Sequence, residues 1–308
     1  MRILFMGTPD FAVPCLDALI KGGHTLVGAV SQPDQPKGRG HKLTPPPVKV
    51  CAMENDIPVY QPETLKNGSF QEVLDQTNPE LIVVVAYGKI LPKYILEYPQ
   101  YGCVNVHASL LPKYRGAAPI QWSVINGEEK TGVTTMYMAE GLDTGDMIMK
   151  AETPIGENET YGELHDRLSR MGAELLVKTV TAMEDGTANR EVQDDNLSCY
   201  APMLSKETGH IDWSCSGREI LNLVRGTNPW PMSYSLYEGV PMKVITGSYQ
   251  AGITGAPGEI VSVGKEGICV ACGDGGIVVK EMQMQGSKRM DVASYLNGHE
   301  ISVGVVLK

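Results

Sequence analysis

The sequence predicts a doubly wound, mostly parallel α/β sheet followed by a small antiparallel barrel. Three observations carry this. Short apolar runs alternate with helix-periodic segments through the first 180 residues, as expected of strands joined by crossover helices. Past residue 209, helices give way to short runs punctuated by Gly and Pro, the pattern of a small barrel. At 308 residues, the chain is long enough for two domains with separate cores.

In chain order, strands are expected at 2–6, 25–31, 81–87, 103–106, 133–138 and 147–151, and helices at 11–21, 48–54, 69–76, 119–126 and 161–184. In the last helix Leu164, Leu168, Met171, Leu175 and Val180 recur at helical spacing and mark a core-facing stripe. Asp185-Gly186 ends it, and the polar stretch through Asp194-Asp195-Asn196 reads as an exposed linker. A helix at 217–225 and strands at 234–237, 242–245, 258–263, 267–271 and 275–283 suggest an OB-like barrel. The expected division is a domain at 1–186, a linker at 187–208 and a second domain at 209–308.

Composition is that of a globular chain, 42% hydrophobic and 20% charged. The longest apolar runs, such as Leu81 to Ala86, are too short to span a bilayer, and the N-terminus lacks a signal-peptide core, so a cytoplasmic protein is expected. Seven scattered cysteines fit reduced thiols; Cys269 and Cys272 alternate to opposite faces of a strand and read as two buried thiols rather than a zinc site. The net charge of −10 argues superficially against nucleic acid, but residues 151–200 alone contribute −7, leaving other faces free to be locally basic. Gly7-Thr8-Pro9-Asp10-Phe11 is not a dinucleotide loop: the glycine spacing is wrong and Pro9 removes an amide that a phosphate would want. It reads as a tight strand-to-helix turn, with Phe11 a candidate for the crevice wall.

The chemistry concentrates at strand ends, where open α/β sheets bind ligands. Asn105 and His107 close an apolar strand two residues apart, so both point to one side of the backbone. Asp143 lies in the turn Gly141-Leu142-Asp143-Thr144-Gly145 between two further apolar runs. An amide, an imidazole and a carboxylate, with no paired Cys or second His, suit acyl-group chemistry better than a metal site. Ser109 is outside any G-x-S-x-G elbow, which disfavours a serine hydrolase. Lys113 and Arg115 are open between anion contacts and plain solvation. His24, His41, His165, His210 and His299 have no partner pattern and receive no role. The long loop at 32–49 carries Lys37, Arg39, Lys42 and Lys49 against Asp34 alone. Its Gly and Pro content argues against regular structure, and it is a candidate arm for RNA phosphates beside the simpler reading of a solvated basic loop.

Together, Gly7-Thr8-Pro9-Asp10-Phe11, the 38–49 loop, Asn105-Val106-His107-Ala108-Ser109-Leu110-Leu111-Pro112, Arg115-Gly116-Ala117-Ala118-Pro119-Ile120-Gln121 and Asp143-Thr144-Gly145-Asp146 resemble the methionyl-tRNA formyltransferases, nearly end to end. The Asn-x-His core is shared with other folate-dependent formyltransferases; the basic proline loop is more specific. The resemblance implies a Rossmann-like formyltransferase domain and an OB-like domain that helps to bind tRNA. It implies 10-formyltetrahydrofolate as donor, the amine of initiator methionyl-tRNA as acceptor, and no metal. Ser109, Leu110, Leu111 and Pro112 match the folate-binding signature, and Arg39 matches the loop arginine expected to meet the acceptor stem.

On this reading, folate sits near Tyr87, Gly88 and Leu91 and the 139–143 loop, held largely by backbone groups. Asn105 and His107 donate to the oxyanion of a tetrahedral intermediate. Asp143 orients His107, favours its charged form and accepts the amine proton directly or through water. A formyltransferase acting on a sugar nucleotide or another small amine is the nearest alternative. A folate- or RNA-binding protein without turnover would have no need of the trio.

Overall fold

The computed structural model describes residues 1–37 and 42–308. Two compact units emerge, and they interleave along the chain. The first comprises residues 1–116, 130–153 and 165–201; the second comprises 117–129, 154–164 and 202–308. This division differs from the expected 1–186, 187–208 and 209–308.

The first unit is built on a seven-stranded sheet. Its order is Met147–Pro154, Lys130–Tyr137, Cys103–His107, Leu81–Val85, Arg2–Gly7, Thr25–Val30 and Val59–Tyr60. Pairings from Cys103–His107 through to Val59–Tyr60 are parallel, and Lys130–Tyr137 runs antiparallel to Cys103–His107. The central strands are buried along their length, as in sheets covered on both faces; Leu81–Val85 is buried at every position. Leu4, Met6, Ile82, Val84, Phe70, Tyr87 and Leu91 share one core cluster.

Helix Tyr161–Glu184 covers the strand that carries the site. A Cβ added at Gly172 would stand 3.0 Å from Val106 Cγ1, so the small residue sets the approach. Leu164, Leu168, Leu175 and Val180 are buried as expected, each worth about 1.5–3 kcal/mol. Met171 is only half-buried, and Leu176 takes the core position instead.

Two expectations need correction. Within the 32–49 loop, Gln35–Lys37 pairs antiparallel with Lys42–Thr44, so this segment has regular structure despite its prolines. Pro36 is tolerated because the pair is an isolated ribbon with open edges. The 187–208 segment is not a free tether. Met147 and Glu191 exchange backbone hydrogen bonds of 2.8 and 2.9 Å, and Tyr200–Ala201 pairs with Arg115–Gly116. Its polar composition concealed backbone pairing that depends on a distant partner strand.

In the second unit, helix Gly217–Gly226 opens with a reciprocal capping box between Ser216 and Glu219. The sheet runs Ser233–Tyr237, Val240–Gln250, Gly275–Met284, Gly267–Cys272 and Ile260–Gly264, all neighbours antiparallel. The last residues bridge its two edge strands. Lys308 exchanges hydrogen bonds with Leu236, while Val305 accepts from Ile260 and Leu307 donates to Gly258. Both sheet edges thereby gain partners, as in a barrel. Cys269 and Cys272 are buried and free. Among the described residues, no helix is long and apolar enough to cross a membrane.

Candidate active site

The site begins where Cys103–His107 runs out of the sheet. Asn105 lies opposite Val84 on one side and Met136 on the other, and His107 is paired with Thr134. His107 is 6% exposed. Its Nε2 lies 2.8 Å from the Tyr114 carbonyl, which can only accept, so Nε2 carries a hydrogen and donates. Nδ1 is left facing Asp143, 3.7 Å from Oδ2: beyond hydrogen-bond length and within ion-pair range. The half-buried Asn105 amide has no hydrogen-bond partner among the described residues. The three polar groups singled out in the sequence thus include one close pair, His107 and Asp143, and a third group on the same side of the same strand as His107.

Asp143 is held tightly for a turn residue. Its φ is +52°, a left-handed conformation that Asp tolerates better than most residues. Two residues on, a Cβ at Gly145 would lie 1.7 Å from the Tyr137 carbonyl oxygen, so only glycine lets the turn close against the strand. The Gly116 amide donates to Asp143 Oδ2 at 2.8 Å. Gln193 Nε2 donates to the carbonyls of Asp143 and Gly145, both at 2.8 Å. Its Oε1 accepts from Arg115 Nε at 3.0 Å, and Arg115 also pairs with Asp195 at 2.7 Å. Arg115 is therefore internally engaged rather than solvated. Sequence reasoning missed Gln193, because one glutamine in a polar stretch has no local signature; only its distant partners reveal it.

The 109–113 turn frames the opposite side. Ser109 is fully buried, with Oγ donating to the Lys113 carbonyl at 2.7 Å. Thr134 Oγ1 donates to the Ser109 carbonyl and accepts from the Leu111 amide. Leu111 is buried with Met136 and Met147, whereas Leu110 and Pro112 are half-buried. The Tyr87 ring lies in the core and its carbonyl accepts from Thr8 and Gln32. Leu91 is core as well. Of the expected folate set, Tyr87, Leu91, Ser109 and Leu111 are therefore buried, and Leu110 and Pro112 are half-buried. Gly88, with φ +83°, is exposed beside Ile90, which is 82% exposed. Leu142 is 54% exposed on the turn that carries Asp143. Lys93 and Glu140, both exposed, lie 3.9 Å apart and link the 88–93 and 139–143 segments.

Burial pushes the Cys103 thiol up to about 12 and the Tyr87 hydroxyl likewise, so both stay neutral at pH 7. Cys103, at the base of the site strand, is thereby unsuited to act as a nucleophile. Among the described residues, no cluster of three or more His, Cys, Asp or Glu side chains is placed to hold a metal. Phe11 is buried and meets His165 edge-on at 5.2 Å.

Of the basic loop, Lys42 is exposed in the ribbon and Lys37 ends its first strand. Lys49 is committed internally, 2.9 Å from Asp34 and 2.8 Å from Gln61 Oε1. The expectation for Arg39 lies outside the described residues.

Known proteins bear on this arrangement. The formyl transferase model matches residues 1–180, and the formyl transferase C-terminal domain model matches residues 203–300. The chain is 54% identical over 308 residues to a methionyl-tRNA formyltransferase of Clostridioides difficile, covering all of both chains. Among solved structures, the N-formyltransferase from Helicobacter canadensis in complex with folinic acid and dTDP-3-aminofucose superposes with a TM-score of 0.68 at 20% identity. It covers 92% of this chain and 99% of that one. HypX from Aquifex aeolicus in complex with tetrahydrofolic acid gives 0.63 at 16% identity, over 99% of this chain and only 50% of that longer one. The structural likenesses establish the fold, and the sequence matches establish kinship: the chain belongs to the formyl transferase family, within its methionyl-tRNA formyltransferase group.

Proposed function

We propose that this chain transfers the formyl group of 10-formyltetrahydrofolate to the α-amino group of methionine esterified to initiator tRNA, for translation initiation. The acceptor is supported by half-identity over full length to proteins of that name. The chemistry is supported by one observation above all: the buried imidazole fixed through Nε2, with Nδ1 turned to a fixed carboxylate.

The methionine amine attacks the formyl carbon as the free base; a free α-amino group has a pKa of about 8, so a usable fraction is neutral at pH 7. A C–N bond forms and the formyl oxygen becomes an oxyanion. Asn105 donates to that oxygen through its unpartnered amide. His107 donates through Nδ1, which carries a hydrogen when the ring is an imidazolium, since Nε2–H is already given to Tyr114. One such donor is worth about 3 kcal/mol in the transition state. Asp143 accepts the amine proton, directly or through water. The bond from the formyl carbon to N10 then breaks, the proton held by Asp143 passes to N10 directly or through water, and tetrahydrofolate leaves.

The pterin and its amide link lie against the 88–91 and 139–143 segments and the edges of Leu110 and Pro112, over walls set by Tyr87, Leu91, Ser109 and Leu111. Lys37, Arg39 and Lys42 meet tRNA phosphates, with help from the C-terminal domain. No metal is required. The substrates place the work in the cytoplasm, and neither a membrane nor an obligate protein partner enters the scheme. The test is to supply labelled formyl-folate with methionyl-tRNA and, separately, with an amino-sugar nucleotide. Label on methionine is expected; label on the sugar alone would replace this reading with that of a sugar formyltransferase.

A further inference from the structure

We propose that Gln193 is a positioning residue for formyl transfer: its amide fixes the turn that aims Asp143 at His107. The inference rests on the catalytic reading of Asp143 above. Three contacts define the clamp. The two Nε2 hydrogens fork to the carbonyls of Asp143 and Gly145, each at 2.8 Å, and Oε1 receives Arg115 Nε at 3.0 Å. The side chain is buried, at 7% exposure, so these bonds do not compete with solvent.

The fork holds the peptide groups that bracket the turn. Asp143 sits at φ +52°, outside the ordinary range for an L residue, and such a conformation persists only where its surroundings over-determine it. Fixing the carbonyls of residues 143 and 145 fixes the Cα–Cβ direction of Asp143. The Arg115 arm acts on the other end of the same side chain, because the next amide, that of Gly116, donates to Asp143 Oδ2 at 2.8 Å. Backbone and carboxylate are thus held by one residue and the strand beside it. Only a primary amide of this length satisfies all three bonds: glutamate cannot donate, and an apolar side chain can do neither.

The test uses the full chain with formyl-folate and methionyl-tRNA, in steady state and in single turnover. Gln193→Leu and Gln193→Glu are made alone and in an Asp143→Asn background, with Val192→Ala, an exposed neighbour, as control. The Glu variant keeps the volume and the acceptor for Arg115, so it serves should the Leu variant not fold. In each folded single variant kcat should drop tenfold or more, since misplacement of about 1 Å costs on the order of 100-fold. KM for both substrates should stay within about twofold. In the Asp143→Asn background the same changes should alter the residual rate by less than about twofold, because a residue acting through Asp143 has nothing left to position. A folded Gln193 variant with unchanged kcat, or losses that multiply with Asp143→Asn, would overturn the inference. The two readings separate cleanly: near-full turnover in Asp143→Asn alone defeats the catalytic role of Asp143, whereas an inactive Asp143→Asn beside a fully active Gln193→Leu defeats only the positioning role.

Discussion

The ring around His107 and the ribbon of Gln35–Lys37 and Lys42–Thr44 belong to one compact unit and are built on opposite terms. In the ring almost every polar atom has a named partner: Nε2 with Tyr114, Oδ2 with the Gly116 amide, Gln193 with three groups. In the ribbon the lysine at 42 is exposed and, among the described residues, the two strands pair only with each other. Burial explains the difference. A buried polar group without a partner costs about 1–3 kcal/mol, so the ring must be fully assembled before substrate arrives. Exposed cations carry no such penalty and gain by releasing counterions when phosphate binds. The ring is suited to one geometry, and the ribbon to a charged surface whose details it need not match.

If that contrast holds, damage to the ring should appear in kcat and damage to the ribbon in tRNA affinity. The largest effect is expected for His107→Ala, which removes an oxyanion donor and the buried hydrogen bond to the Tyr114 carbonyl. Turnover should fall by about 10²–10³ or more, with a stability loss of about 1–3 kcal/mol. Formylation rates and thermal melts read both, and a folded His107→Ala protein with near-normal kcat would break the comparison at its root. Asn105→Ala comes next, at about 10² in kcat with little change in stability, since the half-buried amide has no partner to orphan among the described residues. A large loss of Tm in Asn105→Ala would mean that the amide is structural.

The ring was partly legible in the sequence. Asn105 and His107 share a face through strand alternation, and Asp143 is marked by its glycines, whose necessity at Gly145 is a matter of contact with Tyr137. These are local signals. What supports the ring was not legible, because Gln193 and Gly116 act through a partner tens of residues away and carry no periodicity of their own. The same reasoning explains the fold. Core strands such as Leu81–Val85 announce themselves by continuous burial, while the pairings at Glu191 and Tyr200–Ala201 are backbone events in a polar stretch that composition reads as linker. Arg115 shows the limit most sharply: in the sequence it is open between an anion contact and plain solvation, and in the structure it pairs with Gln193 and Asp195.

The ribbon side of the comparison sharpens with salt. Replacing Lys37, Arg39 and Lys42 by alanine should raise Kd for methionyl-tRNA, lower the slope of log Kd against log salt by up to about three, and leave kcat at saturation and folate affinity intact. Titrations at several salt concentrations decide this; an unchanged slope would show that the ribbon does not meet phosphate. The single change Lys42→Ala, at an exposed position of the ribbon, should change the slope by about one.

The smallest effect concerns how the ribbon is pinned at its base. Asp34, just before the first strand, accepts from Lys49 Nζ at 2.9 Å and from Gln61 Nε2 at 2.8 Å. The Lys49 hydrogen bond first, then that of Gln61, holds the Asp34 carboxyl below the usual carboxylate range. A group depressed in the folded state contributes stability above its unfolded pKa, about 3.9, and loses it as pH falls through the folded value. Asp34→Asn should therefore lower Tm slightly at pH 7, and the gap from the unaltered protein should close as the pH drops below about 4. Added salt should narrow the gap too, since the pair is partly exposed. No such closing is expected for changes to Gln193, whose bonds to Asp143, Gly145 and Arg115 involve no titrating acid of its own. A gap for Asp34→Asn that stayed constant into acid would mean that shape rather than charge holds the ribbon, and that ring and ribbon are secured by the same means after all.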